Sequence, residues 1–282
     1  MEMLLRVKCP RCGRLEEYTP TDEEVREARE KGLASISFFH GDHTLVIYFD
    51  MAGSIRRSIV LRSVGAMVGP AMPFDDLRSL MGDERLALVL AALTSGGRVI
   101  LASSSLDTVR SISQALAQLV AFREVLVKEV VRAEELKGAG DEPEGTMLLA
   151  EHALVSQVSE FPAHVLLADL EVPLDLSRDE KALLGPIIDV LGEAGKLKDE
   201  ASKISLVRDR LSWLREVMEK VIELVGDRKV ISEAYIIYNL YREGYEVEMD
   251  HLELIYYMLD RFRDFGISKR LRRDAFKLAF RA

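Results

Sequence analysis

Cysteine is almost absent from this chain of 282 residues: the two present, Cys9 and Cys12, both lie in the stretch CPRCG. That excludes the disulfide framework of a small exported domain and points toward metal or redox use of the pair. Asparagine occurs once, at Asn239, and glutamine only at Gln114, Gln118 and Gln157. Few thermolabile amides beside abundant Glu, Arg and Lys is the composition expected of a thermophile protein. No apolar run approaches the ~20 residues of a membrane span, and the first residues lack the apolar core of a signal peptide. The expectation is a cytoplasmic protein with no membrane span.

A complete catalytic signature is also missing. An NTPase needs a Gly-rich loop after a strand, whose amides cradle phosphate, with a Lys for the terminal phosphates. Here Gly96 and Gly97 precede the strand GRVILAS, and the following ASSSLDT has neither Gly nor Lys. Ser103, Ser104 and Ser105 could offer hydroxyls and amides to an anion, but capping the next helix is the simpler role. Asp169, ending LLADLE, resembles the acid of a Walker B strand without the phosphate loop that would give it meaning. His152, His164 and His251 are too far apart for metal-ligand spacing, and no Ser or Cys is seen with a base arranged beside it.

The composition is otherwise that of an ordinary folded protein, 48% apolar and 30% charged, at a length that suggests about two domains. The net charge of -9 argues against wholesale coating of nucleic acid, yet the acid excess is uneven. From Gly266 to Ala282 the chain carries Lys269, Arg270, Arg272, Arg273, Lys277 and Arg281 against Asp274 alone.

Three regions follow, and the fold class expected is α/β. Residues 1–66 read as a small α+β domain of zinc type. It has a strand LLRVKC and a helix TPTDEEVREAREKG capped by Thr21 with Glu24 and closed at Gly32. A meander ASISFF, TLVIYFD and SIRRSIVLR completes it. Gly65, Gly69, Pro70 and Pro73 mark a linker. Residues 74–173 alternate helix and apolar strand, the pattern of a mainly parallel sheet. There DERLALVLAALTSG, SLDTVRSISQALAQLVAF and GTMLLAEHALVSQVS are expected as helices. GRVILAS, EVLVKEVV and AHVLLADLEV are expected as strands, and ELKGAGDEPEG as a mobile surface loop.

Residues 176–282 form a helical region. Ser177 and Glu180 make a capping-box pattern, and Gly185-Pro186 kinks or splits the helix that follows. Ile204, Val207, Leu211, Leu214, Val217, Met218, Val221 and Ile222 recur at helical spacing. Ser232 and Asp250 are expected to cap the last two helices, each closed by Gly. Tyr235, Tyr238, Tyr241, Tyr245, Tyr256 and Tyr257 crowd these helices and are expected as helix contacts; the alternative joins them to the basic tail as a surface for RNA or an acidic protein.

Cys9-Pro-Arg-Cys12-Gly has the form of a zinc knuckle, with two sulfurs aimed at one ion and Gly13 relieving the turn. His40 and His43, on the turn HGDH between two strands, can complete a Cys2His2 set. Four protein ligands leave no open position, so the ion expected is a structural zinc. The other reading is a redox pair or two inert thiols, with two polar turn histidines.

The stretch VKCPRCG...GLASISFFHGDHTLVIYFDMAGSIRR resembles the N-terminal module of a group of uncharacterised archaeal proteins. In that group a CPxCG knuckle precedes a helix, a [C/H]xDH turn, a strand ending in Asp and a turn with Gly and Arg. The match falls on Cys9, Cys12, His40, Asp42, His43, Asp50, Gly53 and Arg56, with His40 where the group often has Cys. It implies archaeal origin and the metal site, and no activity. A second likeness runs through LVLAALTSGGRVILASSSLDTVRSISQALAQLVAF, then HVLLADLEVP, then helices. This order is similar to DENN modules that follow a longin-like α+β domain, although the PfliG segment of those modules is missing. The likeness implies a regulator or partner of small GTPases.

Together these features favour a protein that acts by binding a macromolecule, as regulator or adaptor, with a small GTPase as the leading partner. The rival is an RNA- or ribosome-associated protein using Lys269, Arg270, Arg272, Arg273 and Lys277. A catalyst with an unrecognised site stays open.

Overall fold

The computed structural model describes residues 4–10, 13–20, 25–26, 28–29, 32–39, 44–61, 72–123 and 125–272. The chain divides into two units, Met1–Val68 and Gly69–Ala282.

In the first unit, β1 (Leu5–Lys8) pairs antiparallel with β2 (Leu15–Tyr18). The expected meander is present as β3 (Ala34–Phe39), β4 (Thr44–Phe49) and β5 (Ile55–Leu61), paired antiparallel in that order. Alternate residues of β4, Leu45, Ile47 and Phe49, are fully buried, as the period of two requires for a strand with one face on a core. They pack with Leu5, Cys9, Ala28, Ala34 and Ile36. Residues 25–26 and 28–29 are helical, and Gly32 follows at φ +84°. Thr21 and Glu24, expected to cap this helix, lie outside the described residues, as does most of the expected linker.

The second unit begins with α1 (Phe74–Met81) and α2 (Asp83–Ser95), then β6 (Arg98–Ser103), α3 (Leu106–Leu119) and β7 (Leu126–Glu129). After α4 (Ala133–Lys137) and a 3-10 turn over Gly138–Asp141 come β8 (Thr146–Glu151), α5 (His152–Val155) and β9 (Val165–Asp169). The four strands form a parallel sheet in the order β7-β8-β6-β9. Its apolar strands are buried on both faces. Val99, Leu101, Met147, Leu149, Leu166 and Ala168 join one cluster, and Ile100, Ala102, Leu148, Ala150 and Val165 the other.

Two expectations are overturned here. GTMLLAEHALVSQVS is not one helix: Thr146–Glu151 is an interior strand, followed by the single turn of α5. A short, unbroken apolar run buried on both sides has no periodicity to separate strand from buried helix, and Gly145 at φ +75° sets the start of the strand. ELKGAGDEPEG is not a loop throughout. Its first part is α4 and the 3-10 turn, and Leu136 and Ala139 are fully buried beneath the sheet.

The helical region continues with α6 (Arg178–Leu183), α7 (Gly185–Gly195) and α8 (Glu200–Val225). The Ser177–Glu180 capping box is formed, and the helix divides at Gly185-Pro186. In α8, Val207, Leu211, Leu214, Val217, Met218, Val221 and Val225 are buried along one stripe, while Asp199 caps its start through the amide of Ser202 at 2.8 Å. Burying one such aliphatic side chain is worth about 1.5–3 kcal/mol. The last elements are β10 (Ile231–Ser232), α9 (Glu233–Arg242), α10 (Met249–Arg263), α11 (Ile267–Arg270) and β11 (Leu271–Arg272).

Two ends differ from the expected ones. The N-cap of α10 is Glu248, not Asp250, and the helix stops at Asp264, which takes the left-handed conformation at φ +49° before Gly266 is reached. Asp is among the few side chains that tolerate this region. The helices and the sheet share one core, which runs from Phe74 to Ile267. The start of α8 also holds the start of α1: Glu200 accepts the Phe74 amide at 2.6 Å, and buried Lys203 pairs with Asp75.

Candidate functional site

Of the expected zinc ligands, Cys9 is described and is buried at the end of β1. Its amide donates to the Arg14 carbonyl at 2.8 Å and its carbonyl accepts the Gly13 amide at 3.0 Å, closing a hairpin turn with Gly13 at φ +76°. Cys12, His40 and His43 lie outside the described residues.

Asp50, Gly53 and Arg56, which carried the archaeal resemblance, form a turn lock. Asp50 Oδ1 accepts the amides of Ala52 (2.9 Å) and Ser54 (3.0 Å), and Oδ2 accepts Arg56 Nε at 2.6 Å. Gly53 supplies the positive φ of +75°. The Ser54 amide, ahead of the guanidinium, holds the Asp50 carboxyl below the usual range. These motif residues shape a hairpin rather than a reaction centre.

At the carboxyl edge of the parallel sheet, β6 leads to α3 on one face and β8 leads to α5 on the other. Such a point is where open α/β sheets commonly hold ligands. Here the chain's own groups occupy it. Ser105 caps α3 through the Thr108 amide at 3.3 Å. The Glu171 carboxylate accepts the Ser104 amide (2.9 Å) and the Ser103 hydroxyl (3.2 Å). The Ser104 amide is the main reason that this carboxyl lies below its ordinary value. His152 Nδ1 meets Asp169 Oδ2 at 2.8 Å, and Asp169 Oδ1 accepts the Glu171 amide at 3.0 Å. Asp169 is thus a buried structural acceptor at this edge. Glu171 and the His152–Asp169 pair carry no sequence signal of their own, because their partners lie on different strands.

The six tyrosines part company. Tyr256 is buried, and Tyr245 and Tyr257 pack at the margin of the core. Burial pushes the Tyr257 hydroxyl up to about 12, beside Glu180 at 3.4 Å. Tyr235, Tyr238 and Tyr241 instead face solvent at 39%, 61% and 72% exposure, which corrects their expected role as helix contacts. The reason is phase: Ile236 and Leu240 take the buried face of α9, and residues three apart from Tyr235 stay on the opposite side. Arg228 lies over the Tyr235 ring at 4.7 Å and Arg242 over Tyr238 at 5.9 Å.

The described part of the basic tail docks beside this helix. β11 pairs in parallel with β10, Ser232 opposite Arg272, and Arg270 Nη1 donates to the Gly226 carbonyl at 3.3 Å while lying over Phe265. Lys269 and Arg272 are exposed, and Arg228 and Lys229 are exposed just before β10. Arg273 and Lys277 lie outside the described residues. The sequence signal for this face was the Tyr repeat out of phase with Ile236 and Leu240.

No protein-family model and no curated protein matches the chain. Among the described residues, no helix is long and apolar enough to cross a membrane.

Proposed function

We propose that this protein acts by binding a macromolecular partner, as an adaptor or regulator, and that the partner docks on the solvent face of α9 and the segment 266–272. The observation that carries this reading is the row of exposed rings, Tyr235, Tyr238 and Tyr241. Exposed aromatic side chains grouped together, rather than scattered singly, mark interaction sites, and Tyr and Arg are the residues that dominate them. The small-GTPase version draws its support from the order of a small α+β unit, a parallel sheet and helices. The RNA version draws on the tail.

A structural zinc held by Cys9, Cys12, His40 and His43 belongs to the same reading. It is supported by the burial of Cys9 at the head of a Gly13 hairpin turn. Such an ion would stabilise the small unit and supply no reaction step.

The test is capture from an archaeal lysate, with and without ribonuclease, by the wild-type chain and by the double variant Tyr238→Ala/Tyr241→Ala. The variant is expected to keep its thermal transition and lose the retained material. Identical retention by both proteins would sink the assignment of this face. A small GTPase retained after ribonuclease, and lost in the variant, would establish the first version of the partner.

A further inference from the structure

Resting on the docking face just proposed, we infer that its occupant is single-stranded nucleic acid. Three kinds of observation meet on one surface. The first is aromatic: Tyr235, Tyr238 and Tyr241 follow one another at every third position of α9, rising about 4.5 Å along the axis from ring to ring. Any base has a π-face, so such rings make a sequence-tolerant stacking platform.

The second is charge. The face and its margins carry Arg228, Lys229, Arg242, Lys269, Arg270 and Arg272, opposed within the same stretches by Asp227, the buried Glu233 and Asp264. Cations outnumber acids six to three in these stretches of a chain whose net charge is -9, and the acids Glu243, Glu246 and Glu248 begin only after Arg242. An acidic polymer is the complement of this face, and the acidic remainder of the molecule would repel it elsewhere. Phosphates need cations within reach of the stacked bases, and Arg270 and Arg272 are brought to the start of α9 by the β10–β11 pairing.

The third is the pairing of guanidinium and ring. Arg228 lies over Tyr235 and Arg242 over Tyr238, which sets beside each of these rings a second group able to stack on a base, since a guanidinium does so as well. A duplex hides its base faces and would leave the rings unused. A purely acidic peptide such as oligoglutamate would use the cations but has no planar or apolar group to set against the rings. The combination therefore selects an unpaired strand.

The test is fluorescence anisotropy with labelled twelve-nucleotide oligouridine and oligothymidine, the same length of RNA duplex, and an oligoglutamate peptide, titrated with the full chain. Either single strand is expected to bind more tightly than the duplex. Its affinity should fall with salt at a log–log slope of about -2 to -3, from three or four neutralised phosphates. Tyr238→Ala and Tyr241→Ala should each weaken binding at least fivefold, whereas Tyr238→Phe, which keeps the ring, should restore it. Arg270→Glu should lower the affinity for both strands and flatten the salt slope by about one.

Single strands bound no better than the duplex, an alanine variant that binds like wild type, or a peptide bound in preference would each overturn the inference. If the oligonucleotides fail while lysate capture still depends on Tyr238 and Tyr241, the docking face stands and its occupant is a protein. If capture is also unchanged by the variants, the face itself is wrong.

Discussion

His152 Nδ1 lies 2.8 Å from Asp169 Oδ2, and the contact joins the ends of β8 and β9, which are not neighbours but flank β6. Asp169, 6% exposed, also accepts the Glu171 amide and so holds the ends of β8 and β9 together, while the Glu171 carboxylate makes the link to the end of β6. Replacing it with Ala removes the acceptor from both donors. Asp169→Ala is expected to lose about 1–3 kcal/mol in urea unfolding, and Asp169→Asn less, because one acceptor oxygen remains. Unchanged unfolding of both would remove the structural role assigned to this edge.

Gly145 tests the start of β8. Its φ is +75°, and a Cβ there would come within 2.6 Å of Arg123 Nη2. The guanidinium cannot simply withdraw, since Nη1 donates to the Leu93 carbonyl at 2.7 Å. Gly145→Ala should destabilise by about 1–3 kcal/mol. Gly138 has φ -80° and open space around a Cβ, so Gly138→Ala should be neutral or stabilise by about 0.4–1 kcal/mol. Thermal melts of the two variants side by side distinguish strain from a general intolerance of added methyl groups.

His251 supplies a pH dependence. Its ring meets Trp213 edge-on at 5.1 Å, and burial, the largest influence, lowers its pKa from the ordinary 6.5. The unfolded chain therefore binds a proton here that the folded chain resists. This contribution to stability is full above about pH 6.5 and is lost as pH falls through the folded value. Wild-type protein should lose stability relative to His251→Phe between pH 7 and 5, followed by Trp213 fluorescence in urea. Parallel pH profiles of the two proteins would refute the assignment.

Metal removal addresses the knuckle. Elemental analysis should find about one zinc per chain, and chelation or Cys9→Ser should lower the unfolding transition of the small unit while that of Gly69–Ala282 stays in place. Metal-free protein with the small unit at full stability would dispose of the zinc reading.

Much of the fold was legible because it is governed by local rules. The Ser177–Glu180 box, the break at Gly185-Pro186, the buried stripe of α8 and the β3–β5 meander follow from capping chemistry, the geometry of Pro and two simple periodicities. Where the rule gives no unique answer, the reading failed. TMLLAE is apolar in every phase, so only the sheet beside it made it a strand. The same holds for ELKGAG, whose Leu136 and Ala139 are buried because the underside of the sheet needs covering.

The candidate site divides in the same way. By itself the sequence determined that cations collect near the C-terminus, that tyrosines crowd the helices before it, and that no phosphate loop follows GRVILAS. Only the tertiary structure decided which tyrosines face water, since that depends on Ile236 and Leu240 being the residues taken into the core. It alone set Arg270 and Arg272 beside residues 226–232, and drew Glu171 onto the serines after β6. Helical phase and capping are encoded in neighbouring residues, whereas these contacts join positions tens of residues apart and arise when the core that both segments share has formed.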